Sequence, residues 1–138
     1  MKKSFTLIEI LVVVTIIVLM TATAVVTYSV FLKQSRDAKR KTDLSQISAA
    51  LEMYRSNNDT YPIGSVYATT LSVLTAPVTY IQSLPTDPKS SSYSYYYTGS
   101  ASDYTIAAYL ENGGTVCVVA PSCSANGCNY CLGPYGQK

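Results

Sequence analysis

The chain holds 138 residues, room for one modest domain, and a two-domain enzyme does not fit. Hydrophobic residues make up 48% and charged residues only 13%, about half of the roughly 25% usual in soluble globular proteins, which implies a membrane segment or an unusually neutral surface. A net charge of +2 is too small to make nucleic acid the main partner, and the absence of histidine excludes Ser/His/Asp triads, Cys/His dyads and histidine-containing zinc sites.

The apolar excess is concentrated between Phe5 and Leu32, where Glu9 is the single ionisable residue. That stretch exceeds the ~20 residues a helix needs to cross a bilayer. Ala22-Thr23-Ala24 offers a signal-peptidase-like site, but the run stays apolar through Val25, Val26, Tyr28, Val30, Phe31 and Leu32, with no Gly or Pro to interrupt it. The sequence therefore favours an uncleaved spanning helix. A carboxylate in hydrocarbon costs about 2.5–3.5 kcal/mol, so Glu9 needs a partner or an interfacial position.

From Ser35 to Asn58 the pattern becomes amphipathic, with Leu44, Ile47, Leu51 and Tyr54 on one face. Asp37 stands at helical spacing from both Arg40 and Lys41. One acid interrupts the basic cluster Arg36-Asp37-Ala38-Lys39-Arg40-Lys41 and no aromatic interleaves it, so it reads as a juxtamembrane face toward headgroups or neighbouring subunits rather than a nucleic-acid site. No breaker separates the two halves, which predicts one helix from about Phe5 to about Asn58. Asn57-Asn58-Asp59 ends it, and Thr60-Tyr61-Pro62 forbids its continuation.

Between Ile63 and Pro88 the chain is rich in Ser, Thr and Pro, with a short helix predicted over Tyr67 to Leu74. Strands are predicted over Tyr93–Thr98 and Tyr104–Leu110, joined by a hairpin at Gly99-Ser100-Ala101-Ser102-Asp103, and a third over Thr115–Ala120 after the turn Asn112-Gly113-Gly114. Three antiparallel strands laid on the Leu44/Ile47/Leu51/Tyr54 face would close a core, giving an α+β fold. Thirteen tyrosines, with two phenylalanines and no tryptophan, point to a surface built from amphipathic rings. Cys117, Cys123, Cys128 and Cys131 crowd a loop of Gly, Ser, Asn and Pro too poor in apolar residues to fold without cross-links, and two disulfides are expected in any of three connectivities. A four-thiolate zinc site usually has two CxxC knuckles where this segment has one, and no strand-to-helix unit sets Cys128-Asn129-Tyr130-Cys131 up for redox work.

Lys2-Lys3-Ser4-Phe5-Thr6-Leu7-Ile8-Glu9, leading into a long apolar helix, resembles the processing motif of the type IV pilin and pseudopilin family. The resemblance implies that a prepilin peptidase cuts between Ser4 and Phe5 and methylates the new amine; Ser4 stands where Gly is usual. Glu9 then lies four positions past the new N-terminus, where its carboxylate can pair with the Phe5 ammonium of a neighbouring subunit and compensate two costly groups at once. Arg36 through Arg40, Leu51, Tyr54, Asn58, Tyr61-Pro62, Tyr80-Ile81 and Leu84-Pro85-Thr86-Asp87-Pro88 are similar to the head of a major pseudopilin, so that the likeness spans roughly the first 110 residues.

By that resemblance the chain is a structural subunit of a type IV filament, either the pseudopilus of a type II secretion system or a type IV pilus serving adhesion, motility or DNA uptake. It divides into a leader over 1–4, a transmembrane assembly helix over 5–32, an amphipathic continuation over 33–58 and an extracytoplasmic α+β head over 59–138. It sits in the bacterial cytoplasmic membrane as a single-pass precursor. Its partners are identical and related pilin-like subunits, prepilin peptidase, an inner-membrane assembly platform and membrane lipid. No catalytic residues, metal or cofactor are called for. Some pseudopilin heads bind calcium near the C-terminal end; here the nearby acids are only Asp103 and Glu111, too few for an all-oxygen cage, and the disulfides are expected to act as the clamp instead. Charge counting alone, with Lys33, Arg36, Lys39, Arg40 and Lys41 after the span against Lys2 and Lys3 before it, would put the C-terminal part in the cytoplasm. The cysteines and the pilin-like leader argue for the outside. The alternative reading is a signal-anchored, disulfide-rich binding module that never assembles.

Overall fold

The computed structural model describes residues 6–115, 117 and 123–138. The chain divides into two compact units, Met1–Ser35 and Arg36–Lys138. Helix α1, Leu7–Asn58, supplies the first unit and continues into the second. Its end has a local cause: Asp59 adopts the left-handed conformation at φ 60° and returns its N–H to the Arg55 carbonyl at 2.8 Å, closing the last turn before Pro62.

In the first unit, the run Leu7–Ala24 has a mean hydropathy of 2.6 and no part of it is covered by the rest of the chain. By length and composition it can cross a membrane. The hydroxyls of Thr15, Thr21, Thr23 and Thr27 turn back to carbonyls of the preceding turn at 2.6–3.0 Å, so these four do not meet hydrocarbon unsatisfied.

The second unit is a sheet covered on both sides. Strands β1 (Tyr96–Gly99), β2 (Tyr104–Ala108), β3 (Tyr130–Gly133) and β4 (Gly136–Gln137) lie in chain order and pair antiparallel throughout. Leu44, Ile47 and Leu51 of α1 are fully buried against Tyr95, Tyr97, Tyr104, Ile106 and Ala108, as the helical spacing predicts, while Tyr54 is half-buried with its ring edge-on to Tyr80. A short helix, α2 (Tyr67–Leu71), runs on into a 3-10 turn over Ser72–Leu74 and adds Leu71 and Leu74 to this core, matching the predicted segment. On the opposite face of β2, Ala107 packs against Cys117, Cys123, Cys128 and Cys131 in a second, smaller core. All five β2 residues are therefore buried.

Two expectations change. The tyrosines are not mainly a surface: Tyr61, Tyr95, Tyr97 and Tyr104 are at most 5% exposed and form much of the core. Each hydroxyl finds a partner, Glu52, Asp43, the Pro62 carbonyl and Ser48 respectively, which makes burial of the polar tip tolerable. Burial also raises the pKa of all four, that of Tyr104 to about 12. The third strand of the sheet is Tyr130–Gly133 rather than Thr115–Ala120. Thr115 and Cys117 belong to no strand, and 116 and 118–120 lie outside the described residues. The strand is four residues long and set among Gly, Asn and Cys, too short for an alternating pattern to mark it, yet Cys131 sits opposite Ala107 in a regular ladder.

The disulfides join Cys117 to Cys131 and Cys123 to Cys128. This arrangement splits the CxxC pair between two bridges and leaves no thiolate for zinc among the described residues.

Candidate functional site

Two places in the structure concentrate polar chemistry, one in each unit. At the start of α1, Thr6 and Glu9 form a reciprocal capping box. The Thr6 N–H and hydroxyl donate to the Glu9 carboxylate at 3.1 and 3.0 Å, and the Glu9 N–H donates to Thr6 Oγ1 at 3.3 Å. Orphan amides of the first turn are thereby satisfied without water. The motif Thr6-Leu7-Ile8-Glu9 carries this signal in its S/T-x-x-E spacing, so that Glu9, expected to pair with a neighbouring subunit, has a partner within its own helix. Ser4 and Phe5, the expected processing residues, lie outside the described residues.

The second place is a clasp of charges in the head. One turn of α1 presents Arg36, Asp37 and Arg40. The Leu84–Pro88 turn brings Asp87, and the segment after β2 brings Glu111 and Asn112. Arg40, fully buried, forks onto Asp87 at 2.7 and 2.9 Å and reaches Asp37 at 2.8 Å and Glu111 at 3.1 Å. Arg36 forks onto Glu111 at 2.6 and 2.8 Å. Asp37 in turn accepts the backbone N–H groups of Glu111 and Asn112, both at 2.9 Å, and Asp87 accepts that of Lys89 at 2.7 Å. The clasp ties three segments far apart in sequence to one helical turn.

The electrostatics of the clasp favour the ionised forms of Glu111, Arg36 and Arg40. The Arg36 hydrogen bond, against the opposing effect of burial and with help from Arg40 and Lys89, lowers the Glu111 pKa to about 2. Burial works against the charge on Arg40, but hydrogen bonds to Asp87, Glu111 and Asp37 outweigh it and hold the group above its ordinary pKa. Because the folded pKa of Glu111 lies below its unfolded value near 4.5, its contribution is complete above about pH 4.5 and is lost as pH falls through about 2. Urea midpoints should therefore hold from pH 7 to 5 and fall between pH 4.5 and 2. In Glu111→Gln this part of the slope should vanish, with about 1.5–3 kcal/mol already lost at pH 7. An unchanged acid limb in the variant would contradict the assignment.

The clasp corrects the reading of the basic cluster as an outward face. Arg36 and Arg40 turn inward because carboxylates from remote segments meet them there, leaving Lys33 and Lys39 exposed. Asp37 pairs with Arg40 as expected, whereas the Lys41 ammonium lies over the Tyr130 ring at 5.6 Å. The residues also do not fit the calcium seen in some heads. Asp103 is taken by Lys138 and Glu111 by the arginines, and no metal-ligating cluster of three exists among the described residues.

A long apolar-to-amphipathic helix, a small antiparallel sheet packed on its charged half and a C-terminal disulfide loop define a pilin-like subunit. The family model for type II secretion system (T2SS), protein G matches residues 29–116, well over half of the chain, and the chain belongs to that family. The matched region contains every member of the clasp and ends before the first cysteine. No curated protein and no solved structure matches the chain. Membership of this family and the N-terminal apolar helix fit a membrane-anchored subunit of a periplasmic filament, assembled with other pilin-like subunits.

Proposed function

We propose that the chain is made as a membrane precursor, cut between Ser4 and Phe5, methylated on the new amine, and polymerised through its N-terminal helix into the pseudopilus of a type II secretion system. In this reading residues 5–32 span the membrane and later pack in the filament. Residues 33–58 carry the head, 59–138, on the extracytoplasmic side. Prepilin peptidase and an inner-membrane assembly platform are the partners that act on it, and its own role is structural rather than catalytic.

The observation that carries the proposal is the uncovered apolar run Leu7–Ala24 on the same helix that enters the family-matched region. Such a run needs lipid or other copies of itself around it. Within a filament, the Phe5 ammonium of one subunit pairs with Glu9 of the next, and since a heterologous contact of this kind does not close, it propagates as a helix.

Intact-mass analysis of membrane and filament fractions tests this directly. The expected mature protein begins at Phe5, lacks Met1 to Ser4 and carries one added methyl group. A start near Thr23 to Val25 would mark an ordinary signal peptide. An uncut, monomeric chain that gives no ladder on cross-linking would favour the anchored binding module.

A further inference from the structure

Most of the charge in the second unit is satisfied internally, by the clasp and by the pair of Lys138 with Asp103. Lys39, Glu52 and Asp59 are different: all three are exposed, and among the described residues none takes part in a salt bridge. Glu52 is nevertheless held in place. The hydroxyls of Tyr61 and Tyr104 donate to it at 3.0–3.3 Å, neutral donors that orient the carboxylate without offsetting its charge. With Arg55, Ser56 and Asp59 it lines an open hollow of about 410 Å³. The Arg55 guanidinium is turned onto Tyr61, donating to its hydroxyl at 2.9 Å and lying 4.8 Å from the ring centre, so the hollow carries two acids against one engaged base. The Tyr61 hydrogen bond is the main cause of a raised Arg55 pKa, and Tyr135 is near enough to add to it. Tyr135 itself is 92% exposed, on the two-residue turn between the paired Gly133 and Gly136, where Pro134 fixes the backbone. An aromatic ring held out on a rigid turn beside two carboxylates suits an ammonium group.

The free ammonium of the same chain does not reach the hollow. Lys39 and Glu52 stand thirteen residues apart on α1, about 20 Å along the axis and about 140° around it. Lys41 shares the flank of Glu52, only about 20° away around the axis, and its ammonium lies over the Tyr130 ring. Lys39 is therefore the cation on the opposite flank. Complementary charges on opposite flanks of one element, displaced along it, are the two halves of a heterologous contact. We infer that the Glu52, Asp59 and Tyr135 surface of one head receives Lys39 of a second copy of this chain. The inference rests on the polymer proposed above and adds a head-to-head contact to the Phe5–Glu9 pair. Because both partners are exposed, the contact selects the spacing and facing of neighbouring heads more than it drives assembly.

The test is zero-length carbodiimide coupling, which joins a carboxyl and an amine already in contact, applied to wild-type filaments and followed by mass spectrometry of the digest. The expected product is a branched peptide joining Lys39 to Glu52 or Asp59, which the axial separation permits only between two chains. Filaments that couple at other residues but give no such peptide, or that couple Glu52 and Asp59 to a different protein, overturn this inference and leave the polymer standing. A preparation with no multimers at all overturns both. Charge exchange reads the same contact. Lys39→Glu should lower the ratio of filament to membrane-pool subunit about fivefold, and adding Glu52→Lys in the same chain should restore most of it, because every contact then holds the pair reversed. A double variant with a folded head that does no better than Lys39→Glu overturns the contact; if its head does not fold, the coupling result on the wild type decides.

Discussion

Glu9→Ala is expected to leave membrane insertion and cleavage intact while reducing the ratio of filament to membrane-pool subunit by two to three orders of magnitude. Under the proposed pairing, the filament of this variant buries a Phe5 ammonium with no carboxylate beside it. Breaking a buried pair by removing one partner costs about 3–5 kcal/mol. Each 1.4 kcal/mol is about tenfold in an equilibrium constant, which gives the stated loss in subunit addition. The capping box supplies a sharper control than alanine alone. Glu9 also accepts hydrogen bonds from Thr6, so alanine removes the N3 half of the capping box as well as a charge. Glutamine retains an acceptor for the box and discards only the charge. If pairing drives assembly, Glu9→Gln should fail nearly as badly as Glu9→Ala. Normal filament yield in Glu9→Gln, with loss in Glu9→Ala, would show that the cap and not the ion pair is what assembly requires.

What could be read from the sequence was whatever rests on short-range periodicity. Leu44, Ile47 and Leu51 announced a buried face because i, i+3 and i+4 spacing is a property of one helix, and the structure buries all three completely. The end of α1 at Asn58 and the helix beginning at Tyr67 were equally local matters of turn chemistry. The clasp was illegible for the opposite reason. Arg40 meets Asp87 and Glu111 across 47 and 71 residues, and isolated charges are by default on the surface. Nothing in the neighbourhood of Arg40 distinguishes it from Lys39, which is exposed. The core tyrosines misled in the same way, since whether a phenol can be buried depends on a partner for its hydroxyl, and Asp43 is 52 residues from Tyr95. At the N-terminal end, the Thr6–Glu9 box was local and readable. The same four residues that resemble the processing motif also spell a capping box, and the structure shows Glu9 bonded within its own helix.

Arg40→Ala is expected to destabilise the head by about 3–5 kcal/mol, close to the range in which a small domain stops being folded. Three effects act together. Asp87, 1% exposed at its side chain, loses both arms of its fork and has no other cation within salt-bridge reach among the described residues. Asp37 and Glu111 remain close together with only Arg36 and Lys89 to offset them. The guanidinium also leaves a void against Tyr93, whose ring lies 5.1 Å from it. Arg36→Ala should cost less, about 1 kcal/mol or a little more, because Arg36 is 26% exposed and Arg40 still holds Glu111 in its absence. The two arginines share Glu111 Oε1, so their effects should not add, and a double-mutant cycle should show a coupling of about 0.5–3 kcal/mol. Lys39→Ala, one position away and exposed, should stay within about 0.5 kcal/mol of wild type. Urea unfolding of the wild type, the three single variants and the Arg36/Arg40 double variant at pH 7 gives the energies, and hydrogen exchange at the amides of Glu111 and Asn112 locates them, since both N–H groups are held by Asp37 beside Arg40. An Arg40→Ala protein that keeps those amides protected and loses less than about 1 kcal/mol would mean that α1 and the sheet hold the head together by apolar packing alone, with the clasp contributing register and not stability.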